Sequence, residues 1–295
     1  MKILVTGKSG QLARSLVERA SRYPQIELIA VGRPKLDLAV PGSAEKLILE
    51  RRPDLVINTA AETDVDGAEE HRLHAMRINA EGAGEVASAA AAIDAPVVQI
   101  STDYVFDGED SRPYAEDAPT QPLNAYGRSK LAGEEAVRSA NSNHLILRTA
   151  WVYSPFGRNF VKTMFEAAEE RDELRLITDK RGSPTSALDL ADALLAIVSA
   201  WRGGKEPGRG QIYHLVGSGE ATWYEWAEQV MQDRRQLGLR TAKLVPILAR
   251  EWPMRAVRPT NSVLDSRKFQ HDFQFHMPDW RKSLSEVVRR LAAKR

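Results

Sequence analysis

A short β-branched run, Ile3-Leu4-Val5, leads within two residues into Gly7-Lys8-Ser9-Gly10-Gln11-Leu12-Ala13, and no other stretch of the chain constrains its fold as much. Glycines so placed permit a tight strand-to-helix turn. They also let backbone N–H groups approach a pyrophosphate, which the dipole of the following helix favours. A G-x-x-G-x-x-A run alone equally describes an ordinary βα loop. Its position decides between the two, because Leu12, Leu16 and Ala20 follow on one helical face.

The alternation continues through the first half. Residues 3–5, 27–31, 55–58, 97–101 and 144–149 read as strands. Between them Ser43 is expected to cap a helix to Arg51, Asn79 one to Ile93 and Asn124 one to Ala140. Strands alternating with helices predict βαβ units and a Rossmann-like, doubly wound parallel sheet. After Thr149 the pattern is less regular: helix 159–171, strand 174–177, helix 189–200, loop 202–210, strand 211–216, and helices 223–237 and 280–293. Residues 1–150 are therefore expected to form a nucleotide-binding domain to which elements near 185–217 return. Residues 151–295 are expected to form mostly a smaller α/β substrate-binding lobe, interleaved with it.

Composition narrows the function. Forty-one basic residues against forty acidic ones leave a net charge of +1, so no global field draws nucleic acid or an anionic membrane. The absence of cysteine excludes disulfides, zinc thiolates, iron-sulfur clusters and a thiol nucleophile. The six histidines fall in no ligand pattern, and no metal is expected. The apolar stretch at the N-terminus is too short for a signal-peptide core, and no run approaches a membrane span. A cytoplasmic protein is expected.

Two further patterns carry chemistry. The second strand ends Ala30-Val31-Gly32-Arg33, with no carboxylate to take a ribose 2'-hydroxyl. Arg33 there suits the 2'-phosphate of NADP(H), although it also reads as a solvated loop charge. Tyr126 and Lys130 lie four apart on one helical face, where an ammonium would lower the phenol pKa and make an acid/base group; a solvated helix pair has the same spacing. The fourth strand ends Ser101-Thr102-Asp103-Tyr104, bringing hydroxyls to the carboxyl edge of the sheet, where open α/β folds bind ligands, though such residues also cap turns.

The ordered set of motifs resembles the extended short-chain dehydrogenase/reductase family. It comprises Gly7 to Leu12, Asn58-Thr59-Ala60-Ala61-Glu62-Thr63-Asp64-Val65-Asp66-Gly67-Ala68-Glu69, Ser101 to Gly108, Tyr126-Gly127-Arg128-Ser129-Lys130, Arg148 to Tyr153 and Arg258-Pro259-Thr260-Asn261-Ser262. The resemblance runs nearly end to end. It implies NADPH-dependent reduction of the 4-keto group of dTDP-6-deoxy-L-lyxo-4-hexulose to dTDP-L-rhamnose, a polysaccharide precursor, with NADH as a further acceptable cofactor. Thr102, Tyr126 and Lys130 would be catalytic. Gly7, Gly10, Gln11, Leu12, Arg33, Asp37, Leu38, Ala60, Ala61 and Thr63, with Tyr126 and Lys130, would hold the cofactor. Thr63, Val65, Thr102, Asp103, Tyr104, Trp151, Asn159, Arg255 and Arg258 would contact the nucleotide sugar, the two arginines suiting its pyrophosphate.

The departures from the family pattern also matter. Glu62 stands where relatives often carry a basic or aromatic residue. Ser15 and Leu188 replace glutamates with which some relatives hold a divalent cation at a dimer interface, so a monomer or a homodimer without a metal bridge is expected. Dehydratases of the superfamily follow the threonine with Asp-Glu, and Tyr104 here removes that acid. Epimerases, and a non-catalytic NADP-binding regulatory subunit, remain as alternatives.

Overall fold

The computed structural model describes residues 1–205 and 207–294. Residue 206 of the loop expected at 202–210, and residue 295 of the second lobe, lie outside the described residues. The first half comprises β1 (Lys2–Thr6), α1 (Gln11–Ala20), β2 (Glu27–Val31), α2 (Ser43–Arg51), β3 (Leu55–Asn58), α3 (Val65–Glu70), α4 (Arg72–Met76), a π-helical turn (Arg77–Glu81), α5 (Gly82–Ala91), β4 (Val97–Thr102), α6 (Ala125–Ala140) and β5 (His144–Thr149). The second comprises β6 (Val152–Tyr153), α7 (Phe160–Glu170), β7 (Glu173–Ile177), β8 (Arg181–Gly182), β9 (Thr185–Ser186), α8 (Ala187–Arg202), β10 (Gln211–His214), β11 (Ala221–Thr222), α9 (Trp223–Gln236), β12 (Lys243–Ile247), α10 (Arg267–Phe273) and α11 (Trp280–Ala292).

Six parallel strands form the main sheet in the order β10-β5-β4-β3-β1-β2. Side chains alternate across it with period two. Ile3 and Val5 enter one core with Leu12 and Leu16 of α1 and Leu194 and Val198 of α8, whereas Leu4 enters the other with Ile48 of α2, Val86 of α5 and Val137 of α6. Helices on both faces make the fold doubly wound. The strand order reverses between β1 and β3, and a crevice opens at that switch point beyond the carboxyl ends of the strands.

The second half contributes to both parts. Strand β10 pairs with β5 inside the main sheet, and α8 packs on α1. Helices α7, α9 and α11 with the parallel pair β7–β12 enclose a separate core around Phe165, Trp226, Trp280 and Val287. Among the described residues no helix is long and apolar enough to cross a membrane.

Two expected caps are corrected. Gly42, left-handed at φ 77°, precedes α2, and Ser43 is its first helical residue. Its hydroxyl accepts the Asp37 N–H instead. Asn79 starts no helix. It lies in the π-helical turn that joins α4 to α5, buried, with its amide on the Glu62 carbonyl and the Ser129 hydroxyl. Asn124 caps α6 as expected, accepting the Gly127 N–H at 2.8 Å.

Candidate active site

The crevice is one continuous cavity of about 1020 Å³ running from the β1–α1 turn to the second lobe. At the first end the chain turns sharply: Gly7 is left-handed at φ 91°, and a Cβ there would press on Thr59 and Ala60 at 3.1–3.2 Å. Gly10 N donates to the Gly7 carbonyl, and α1 starts directly after it. That start has no side-chain cap and no acidic residue in its first turn, so its free N–H groups and dipole are directed at an anion. Helices α6, α7, α9 and α11, by contrast, begin on a side-chain oxygen. The turn therefore fits a dinucleotide pyrophosphate. Leu12, Arg33, Asp37, Leu38, Ala60, Ala61 and Thr63 line the same cavity, with Arg33 exposed at the rim.

At the other end, β4 delivers Thr102 and α6 delivers Tyr126 and Lys130 to one wall. The Thr102 hydroxyl donates to Asp103 at 3.0 Å and accepts the Tyr104 N–H at 3.1 Å, and its presence beside the Tyr126 phenol acts to lower that phenol's pKa. Lys130 is buried and donates to the Ile100 carbonyl at 2.7 Å. Ser101 is turned away toward Glu134, which also holds Arg148 through two bonds of 2.9 and 2.7 Å. This buried pair sits one helical turn beyond Lys130.

The electrostatics differ from the sequence expectation. Burial pushes the Tyr126 phenol up to about 12, with the Asp103 and Glu62 carboxylates acting in the same direction and the Thr102 hydroxyl against it. The lysine does not lower it. Burial instead brings Lys130 down to about 8, opposed by Glu134. Asp103 is raised to about 7, again by burial, against the lowering effect of the neighbouring Ser262 and Thr102 hydroxyls, of which Thr102 donates to it at 3.0 Å. In this wall removal from water outweighs pair attraction.

Val65, Asp103, Tyr104, Trp151 and Asn159 also line the cavity. Trp151 has a left-handed backbone, φ 45°, and its ring stacks on Trp226 at 5.3 Å over Gly182, where a Cβ would collide with the indole. The two arginines expected on the pyrophosphate are not brought into the cavity. Arg255 pairs with Glu70, and Arg258 with Asp66 through bonds of 3.1 and 2.6 Å, because helix α3 places both carboxylates beneath the 255–258 arm. Sequence reading passed over Lys8, Arg14, His74 and Arg158, which line the walls. Lys8 and Arg14 bracket the glycine turn and could have been found from that position alone.

The profile of the family described as "RmlD substrate binding domain" matches residues 1–293. The chain belongs to this family. It is 42% identical over 288 residues, 98% of its length and 97% of the relative's, to the dTDP-4-dehydrorhamnose reductase of Sinorhizobium fredii. Among solved structures it resembles a dTDP-4-dehydrorhamnose reductase from Clostridium acetobutylicum, with a TM-score of 0.89 and 36% identity, covering 99% of this chain and 100% of that one. A Bacillus anthracis dTDP-4-dehydrorhamnose reductase in complex with NADP gives a TM-score of 0.89 at 32% identity, covering 97% and 98%.

Ser15 and Leu188, the two positions at which the sequence resemblance expected glutamates to be replaced, are engaged within the chain. Ser15 donates to the Gln11 carbonyl at 2.9 Å, Leu188 is in the apolar core, and Asp189 accepts the Ser283 hydroxyl.

Proposed function

We propose that this chain reduces the 4-keto group of dTDP-6-deoxy-L-lyxo-4-hexulose to dTDP-L-rhamnose with NADPH, the reductase activity for which its relatives are named. The observation that carries the reading is the single cavity joining the uncapped start of α1 to Thr102, Tyr126 and Lys130. NADPH supplies the hydride that reduces the carbonyl carbon. The main sheet and its returning elements hold the cofactor, and the lobe within 151–295 offers Trp151 to the nucleotide sugar, with Asn159 tying that lobe to the start of α1.

Tyr126 is the proton donor. Raised to about 12, its phenol remains protonated at neutral pH and gives its proton to the carbonyl oxygen as negative charge develops there. Thr102, held by Asp103 and the Tyr104 N–H beside the same phenol, offers its hydroxyl to that oxygen. Lys130, mostly an ammonium at pH 7, offsets the charge left on the phenolate. Elimination has no second acid here, since Tyr104 follows Asp103, and a regulatory subunit would not need this triad. We further propose preference for NADPH through Arg33, no divalent cation, and a monomer or a homodimer without a metal bridge.

The test is NADPH oxidation with the dTDP sugar against its UDP and GDP analogues. Tyr126→Phe retains the ring and removes the proton donor, so kcat is expected to fall by about 10² to 10⁴. Turnover near that of the wild type in this variant would overturn the assignment.

A further inference from the structure

Arg258 lies outside the cavity yet touches the residue that flanks the proton donor. Its guanidinium forms a two-point pair with Asp66 of α3, and this pairing holds the Asp66 carboxyl below the usual carboxylate range. The Arg258 side chain is 12% exposed and that of Asp66 38%, so the guanidinium is largely buried while its carboxylate partner stays in contact with water. Asp66 also accepts the Ala256 N–H at 2.9 Å, and Lys180 donates to the Arg258 carbonyl at 2.7 Å. Backbone and side chain are thus fixed independently.

From this position the Arg258 charge lies beside Tyr104 and acts against the rise that burial gives the Tyr104 phenol. The Tyr104 ring packs edge-on against Tyr126, with centroids 5.8 Å apart and planes at 79°. Its carbonyl lies so close to Gly127 that any Cβ there would collide with it. The same arm reaches the start of α6 by a second route, because Asn124, the residue that caps this helix, donates to the Val257 carbonyl at 2.8 Å. Two contacts from residues 257 and 258 therefore converge on the first turn of the helix that carries Tyr126 and Lys130.

We infer that Arg258 is a positioning residue rather than a phosphate ligand: anchored by Asp66, it fixes Tyr104 against Tyr126 and so sets where the proton donor stands. The inference rests on the reading of Tyr126 as proton donor. An arginine that binds substrate phosphate lowers KM, whereas one that aligns a donor raises kcat, and the planar two-point pair with Asp66 is geometry that lysine cannot reproduce.

The experiment measures kcat, nucleotide-sugar KM and NADPH Kd for Arg258→Lys, Tyr104→Phe and the double variant. Each single change is expected to lower kcat by about 10- to 100-fold, as small misplacements of a reacting group do, with NADPH Kd unchanged and KM little altered. The double variant should be no slower than the slower single one, since the arginine acts through the tyrosine. Tyr104→Phe removes one oxygen and tests the link even if Arg258→Lys folds poorly. A raised KM with unchanged kcat in Arg258→Lys, or fully additive losses, would overturn the inference. Wild-type kcat in Arg258→Lys, with the wild type turning over, would overturn this inference alone. A wild type unable to reduce the substrate would overturn the underlying reading with it.

Discussion

Asn159 donates its side-chain amide to Oε1 of Gln11 at 3.0 Å, joining the first turn of α7 to the first turn of α1. The same amide reaches the Ser154 and Phe156 carbonyls, and the side-chain oxygen caps α7 at Lys162 N. A residue expected to face the nucleotide sugar is thus already fully engaged, and what it holds is the junction between the sheet and the second lobe. Asn159→Ala removes both the cap and the link. Stability should fall by about 1 to 2 kcal/mol, the range for losing a helix cap, and KM for the nucleotide sugar should rise. An unchanged midpoint in urea would show that the link contributes nothing.

Arg33 stands exposed at the cavity rim, where the second strand ends. A charge-assisted hydrogen bond to a 2'-phosphate contributes roughly 1.5 to 3 kcal/mol, or about 10- to 100-fold in affinity. Arg33→Ala should weaken NADPH by that factor and leave NADH nearly unchanged in direct titrations. Equal weakening of both cofactors would remove Arg33 from the selection.

Lys130 loses its proton near pH 8 because it is buried. Reduction requires the ammonium, so kcat should decline as pH rises through about 8. Lys130→Arg retains its charge to beyond about pH 12, and this alkaline limb should disappear even though turnover is lower. The same limb in both proteins would assign it to another group.

Much of this arrangement was legible in the sequence, and the illegible parts share a physical cause. Ile3, Val5, Leu55 and Ile57 read as strands because β-branched and aliphatic runs bounded by turns are what a sheet buried on both faces requires. Asn124 was readable as a cap because its own helix follows it. Asn79 misled, since the same polar side chain, placed mid-helix, serves a tertiary role between Glu62 and Ser129. Strand β12 was missed because Pro246 interrupts it, which its pairing with β7 alone accommodates. At the site, the glycine turn and the Thr102, Tyr126 and Lys130 set were visible as spacing. The carboxylates that take Arg255 and Arg258 were not, because Glu70 and Asp66 are far from them in the chain and meet them only through the path of α3. The direction of the Tyr126 shift was hidden for a similar reason: helical spacing shows a neighbouring lysine but not how far the phenol is removed from water.

Ser15 donates to the Gln11 carbonyl, Leu188 is buried and offers no ligand atom, and Asp189 is bonded to Ser283. A hard divalent ion is held by oxygen ligands, usually including carboxylates. Turnover and sedimentation should therefore be the same in EDTA as in millimolar Mg²⁺. A chelator that abolished activity or split a dimer would contradict this.

The most direct test of the central claim follows the hydride itself. NADPH carrying deuterium at the transferable C4 position of its nicotinamide is incubated with dTDP-6-deoxy-L-lyxo-4-hexulose, and the product is examined by NMR and mass spectrometry. Stoichiometric NADPH consumption with one deuterium at sugar C4 is the predicted result. A product formed without net NADPH consumption, or one without deuterium at C4, would contradict it.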